Sequence, residues 1–127
     1  MWEYMEFKDL EGKIFTQIDV DRNNLDHGDN ITFITDNGEE YELLHRQDCC
    51  EDVSLEDING NLDDILNQPI LLAEEVFNSH DLLGKDPYES FTWTFYKLAT
   101  NKGYVNIRWY GQSSGYYSEI AELIRTK

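Results

Sequence analysis

Ser90-Phe91-Thr92-Trp93-Thr94-Phe95-Tyr96-Lys97-Leu98-Ala99-Thr100-Asn101-Lys102-Gly103-Tyr104-Val105-Asn106-Ile107-Arg108-Trp109-Tyr110-Gly111 is a run of aromatic and β-branched residues interrupted once, by Asn101-Lys102-Gly103. Such residues suit a pleated, half-buried surface, and a short linker with glycine for the left-handed position joins antiparallel strands. The stretch therefore reads as a hairpin at the centre of a sheet. In its second arm Val105, Ile107 and Trp109 share one face, which leaves Tyr104, Asn106, Arg108 and Tyr110 on the other. That second face is semi-polar and suited to holding a ligand.

Outward from this hairpin the pattern continues in short strands. Ile31–Thr35 and Glu40–His45 flank Asp36-Asn37-Gly38-Glu39, where Asn-Gly supplies the positive φ of a tight turn. Lys13–Val20 alternates, with Ile14, Thr16, Ile18 and Val20 on one face, and Val53–Ile58 reads as a short strand. Asn61 is placed to cap one helical turn, and Ile70–Phe77, just after Pro69, reads as a strand. Residues 78–87 read as loop, and Ile120, Leu123 and Ile124 at helical spacing predict a terminal helix. The expectation is an α+β domain covering residues 1–127: a predominantly antiparallel sheet of five to seven strands with one or two short helices.

Twenty-six acidic and ten basic residues leave a formal charge of −16, which repels nucleic acid and anionic lipid. The charge is uneven, with sub-totals of −8 over residues 1–46, −10 over 47–84 and +2 over 85–127. The middle segment holds no Lys or Arg at all. The N-terminal stretch is acidic where a signal peptide is basic and then apolar, and no apolar run approaches the ~18 residues of a membrane span. The reading is a cytoplasmic protein with reduced thiols, bound neither to membrane nor directly to nucleic acid.

The densest chemistry is His45-Arg46-Gln47-Asp48-Cys49-Cys50-Glu51-Asp52. His45, Asp48, Cys49 and Cys50 are zinc-ligand types, with His27 or His80 to complete a site, but neighbouring cysteines on a strand point to opposite faces. A Cys49 thiolate activated by His45 and oriented by Glu51 fails on distance, since strand residues four apart lie about 13 Å from each other. Buried structural cysteines beside a hydrogen-bonded His45 fit better. Asp19, Asp21, Asp26 and Asp29 miss the spacing of a calcium loop. No cofactor is expected. Two binding surfaces remain. One is acidic: Asp48, Glu51, Asp52, Glu56, Asp57, Asp63, Asp64, Glu74 and Glu75, which can imitate a nucleic-acid backbone toward a basic groove. The other joins His45 and Gln47 to Tyr104, Arg108, Tyr110, Tyr116 and Tyr117, a stacking and pairing set for a nucleotide.

His45-x-Gln47-Asp48-Cys49-Cys50-Glu51, Asp57-x-x-Gly60, Pro69-Ile70-x-x-Ala73-Glu74-Glu75 and the run from Trp93 to Ser118 together resemble a small family of short single-domain proteins of unknown function, many encoded by bacteriophages and prophages. The resemblance spans roughly residues 40–118. It implies phage or prophage origin and brings no catalytic assignment. The expectation is a non-catalytic accessory protein that inhibits a host nucleic-acid-directed defence factor, such as a nuclease or restriction system, through its acidic surface. A nucleotide-sequestering protein using the aromatic and arginine face is the alternative, and a metal or thiol enzyme the third reading.

Overall fold

Nine strands, each paired antiparallel, make up the computed structural model, which describes residues 2–22, 28–81 and 90–127. In chain order they are β1 (Glu3–Met5), β2 (Phe15–Asp21), β3 (Asn30–Thr35), β4 (Glu40–Leu44), β5 (Asp52–Asn59), β6 (Leu72–Asp81), β7 (Ser90–Thr100), β8 (Gly103–Ser113) and β9 (Glu122–Arg125). They form a five-stranded sheet in the order β1-β9-β4-β3-β2 and a four-stranded sheet in the order β5-β8-β7-β6. No α-helix occurs among the described residues; Phe7–Leu10 and Leu62–Ile65 are single 3-10 turns. The α+β expectation is therefore corrected to a mostly-β fold of two sheets.

The hairpins stand where their turn residues put them. β3 and β4 pair through Asp36–Glu39 with Gly38 at φ +86, and β7 and β8 pair along their full length from Ser90↔Ser113 to Thr100↔Gly103. Gly103, however, lies outside the left-handed region. Its constraint is space, because a Cβ there would meet Asp64 Oδ2 at 3.0 Å. Asn61 caps its turn as expected, accepting from Asp63 N–H at 3.0 Å. β6 is the strand favoured over a helix, but it runs on through Asp81 into the residues read as loop.

The terminal helix is replaced by β9, which lies between β1 and β4 with Leu123 paired to both Met5 and Leu43. β2 carries a bulge between Phe15 and Gln17. The extra residue brings buried Phe15 and core-packed Ile18 to the inner side, so the simple alternation of Ile14, Thr16, Ile18 and Val20 does not hold. One continuous core joins the sheets: Phe15, Ile31, Phe33, Tyr41 and Leu43 from the first, and Leu55, Tyr96, Leu98, Val105, Ile107 and Trp109 from the second. Each large apolar side chain so buried contributes roughly 1.5–3 kcal/mol by leaving water.

Candidate functional site

β7 is inverted with respect to hydropathy. Its inner face holds Thr92, Thr94, Tyr96 and Leu98, while Phe91, Trp93, Phe95 and Lys97 alternate onto the solvent side. Thr94 is fully buried, and its hydroxyl has no hydrogen-bond partner among the described residues. Burying an unsatisfied hydroxyl costs about 1–3 kcal/mol, and turning Phe or Trp outward forgoes a similar gain.

The outward residues meet those of β8. Trp93 stands opposite Tyr110 and Phe95 opposite Arg108. The Trp93 and Tyr110 rings lie 4.6 Å apart, Phe91 stacks on Tyr110 at 6.1 Å, and the Arg108 guanidinium sits 5.0 Å from the Trp93 ring centre. Lys97 lies over Tyr104 at 4.7 Å, and Val76 from β6 extends the surface beside Phe95. The Asp57 carboxylate stands 3.9 Å from Arg108, and the Tyr110 hydroxyl donates to Gln112. Five rings and two cations thus share one face on the solvent side of the four-stranded sheet.

Of the ligand set read from sequence, Tyr104, Arg108 and Tyr110 lie together here. Phe91, Trp93, Phe95 and Lys97 are the residues that reading missed, although alternation along 90–97 places them on one face. Alternation alone does not say which of those two faces is buried. Tyr116 is exposed on the segment after β8, and Cys49 holds the hydroxyl of Tyr117 above its ordinary pKa.

His45 and Gln47 belong to a different structure, the connection between β4 and β5. His45 is buried, with Nδ1 2.9 Å from the Ile120 carbonyl and Nε2 2.8 Å from Glu51 Oε2. Both partners are acceptors, so both contacts are hydrogen bonds when each ring nitrogen carries a proton. Glu51 also accepts from Asp48 N–H at 2.9 Å and Cys49 N–H at 2.8 Å, and Gln47 donates to the Glu51 carbonyl. Burial pushes the Glu51 carboxyl upward, but the Cys49 and Asp48 N–H groups and the His45 ring outweigh it and bring it down to about 2. Glu51, 3% exposed, is therefore a clasp joining the two sheets and not part of an acidic surface.

The cysteines are corrected too: both are free and exposed. With its ring nitrogens on Ile120 and Glu51, His45 has neither left for Cys49. No group of three or more metal-ligating side chains occurs among the described residues, and His27 and the His80 side chain lie outside them. Asp26 of the calcium reading does as well.

A second clasp closes the other side. Glu119 accepts from the hydroxyls of Ser90, Thr92 and Ser113, the Thr92 bond measuring 2.8 Å, and so holds residues 114–121 across the ends of β7 and β8.

The remaining acids do not form one patch. Asp52, Glu56 and Asp57 are exposed on β5 at one edge of the four-stranded sheet; Glu74 and Glu75 lie on β6 at the opposite edge. Asp63 and Asp64 occupy the 3-10 turn beside the β7–β8 hairpin, and Asp48 sits in the connection before β5. Glu74 and Glu75 line a groove of about 590 Å³ with Glu6 and Glu122, floored by Phe7, Ala73 and Leu123. Burial raises the Glu75 carboxyl above its ordinary value, opposed by a hydrogen bond with Tyr96. At the β5 edge, Arg22 donates to the Leu55 carbonyl at 2.9 Å, and Asp29 accepts from Leu55 N–H at 2.8 Å. These two residues tie the β2–β3 end of the other sheet to β5.

No helix among the described residues is long and apolar enough to cross a membrane. No curated protein and no solved structure matches the chain. A family model described as a domain of unknown function, DUF7448, matches residues 8–123, nearly the whole chain and more than the 40–118 over which the motifs run. The chain belongs to the DUF7448 family.

Proposed function

We propose that the protein is a non-catalytic binding protein whose ligand lies flat on the outer face of the four-stranded sheet, and that this ligand is a nucleotide. The observation that carries the reading is the inversion of β7, with Thr92 and Thr94 inside and Phe91, Trp93 and Phe95 outside. Folding alone disfavours that arrangement, and exposed apolar clusters rimmed by polar groups mark interaction surfaces. Trp93 and Tyr110 supply π-faces for a base, worth about 1–3 kcal/mol per stacked base, and Arg108 and Lys97 supply charge for phosphate. Asn106 and Gln112 on the same face offer amides to the base edge.

A nucleotide panel at about a hundredfold each Kd is expected to stabilise the folded state by about 2.7 kcal/mol for the ligand recognised, a rise of several degrees in Tm. Arg108→Ala and Trp93→Ala, both on the solvent side, are expected to fold normally and lose that rise. A panel without any shift, or a shift unchanged in both variants, sinks the reading.

A second reading is favoured by the acidic β5 edge, where Asp52, Glu56 and Asp57 are exposed along one strand. Such a row suits competition for the basic groove of a nucleic-acid-directed host defence factor, the task of a phage-encoded accessory protein in a host cytoplasm. Partner binding is then expected to weaken steeply with salt and with joint neutralisation of Asp52, Glu56 and Asp57, and to ignore neutralisation of Glu74 and Glu75. Binding indifferent to both salt and the β5 acids excludes it.

A further inference from the structure

The ligand face makes no use of Cys49 and Cys50. These residues sit in a bend, not on a strand, so the alternation that separates strand neighbours does not apply to them. Cys49 holds both the Cys50 thiol and the hydroxyl of Tyr117, on the segment that follows β8, above their ordinary pKa, so the three groups share one neighbourhood. The bend is fixed from beneath. Glu51 holds the Asp48 and Cys49 N–H groups, and Gln47 donates to the Cys49 carbonyl at 3.2 Å. Two exposed thiols on adjacent residues are thereby carried on a backbone that is already ordered.

The chemistry of this donor set is narrow. A closed zinc site needs four ligands, and His45 is committed to Ile120 and Glu51. A disulfide between neighbours has its Cα atoms about 3.8 Å apart, below the usual range of about 4.4–6.8 Å, so the bond is strained and easily reduced. A single thiophilic atom bridging the two sulfurs avoids that strain, because it leaves them apart. Sulfur ligands select soft centres over hard ones.

We propose that Cys49 and Cys50 form a bidentate dithiol site for a trivalent thiophilic centre of the arsenic(III) class, with the Tyr117 hydroxyl closing over Cys49. Capture of an organoarsenic(III) oxide forms two As–S bonds and breaks the As–O bond. The oxygen leaves as water with the two thiol protons, and neither arsenic nor sulfur changes oxidation state.

The test is titration of the full-length protein with phenylarsine oxide, followed by intact mass and by counting residual thiols with a chromogenic disulfide. One arsenical per chain is expected, with both thiols lost together, and the adduct should survive excess monothiol but yield to a dithiol. Capture by the folded chain should be about tenfold faster than in denaturant, because the bend pre-orients the thiols. Cys49→Ser and Cys50→Ser, at exposed positions, should fold and form adducts that monothiol strips; Tyr117→Phe should keep the stoichiometry and release faster. Thiols that titrate singly, an adduct stripped by monothiol, or equal rates for the folded and unfolded chains would overturn the site, and release unchanged in Tyr117→Phe would remove the phenol's part in it.

Discussion

Gly111→Ala is expected to lower stability by about 3 kcal/mol, a fall of roughly 10 °C in Tm, although it adds a single methyl group. Gly111 is buried in β8 opposite Thr92 and Val53, and an added Cβ would lie 2.7 Å from Glu119 Cα and nearer still to the Glu119 carbonyl. The obstacle is backbone, so no rotamer change relieves it. The segment cannot simply lift away, because Glu119 is anchored by three hydroxyls on β7 and β8. Deleting that anchor with Glu119→Ala removes hydrogen bonds to a charged group, worth about 1.5–3 kcal/mol each at most. The two losses share one cause, the seating of residues 114–121, so the double variant is expected to lose less than the sum. Denaturation midpoints of the four chains measure this, and strict additivity would show that the segment is not held as a unit.

The same segment explains where sequence reasoning stopped. The hairpins of β3–β4 and β7–β8 were legible because Asn37-Gly38 and Asn101-Lys102-Gly103 are local features, and local turn chemistry fixes a neighbouring pair. β9 was not legible. Leu123 and Ile124 are both buried, one toward the core and one against the flanking strands, and a pair of adjacent apolar residues after Ile120 fits a helix as well as a strand. What decides is pairing with β1 and β4, which are distant in the chain and leave no mark in the terminal residues. The ligand face was half legible: alternation separated Tyr104, Arg108 and Tyr110 from Val105, Ile107 and Trp109 correctly. On β7 the period was just as plain, but period does not say which side is wet, and Thr92 and Thr94 took the inside. The placement of the acidic residues was not legible for a similar reason, since composition counts carboxylates without placing them. Asp52 and Glu74 look alike in sequence and stand on opposite edges of one sheet.

Glu51 is the carboxylate that composition hid most completely, and Glu51→Gln is expected to destabilise more than Asp48→Asn or Asp52→Asn and to change the acid response of the protein. An amide keeps the shape but presents one acceptor oxygen and an NH2 group. It cannot accept from Asp48 N–H, Cys49 N–H and His45 together, so at least one buried donor loses its partner. The pH dependence follows from the direction of the shift. The folded-state carboxyl titrates at about 2, below the ordinary 4.5, so between these values the unfolded chain binds the extra proton. The stabilisation is therefore complete above pH 4.5 and drains away as pH falls toward 2. Denaturation midpoints of the native protein should drop through that window more steeply than those of Glu51→Gln, which has no carboxyl to protonate there. Parallel profiles would mean that the clasp carries no linked proton. A second readout separates loss of the clasp from general weakening: Glu51 orders the bend that presents Cys49 and Cys50, so Glu51→Gln should slow arsenical capture at neutral pH, where the chain remains folded.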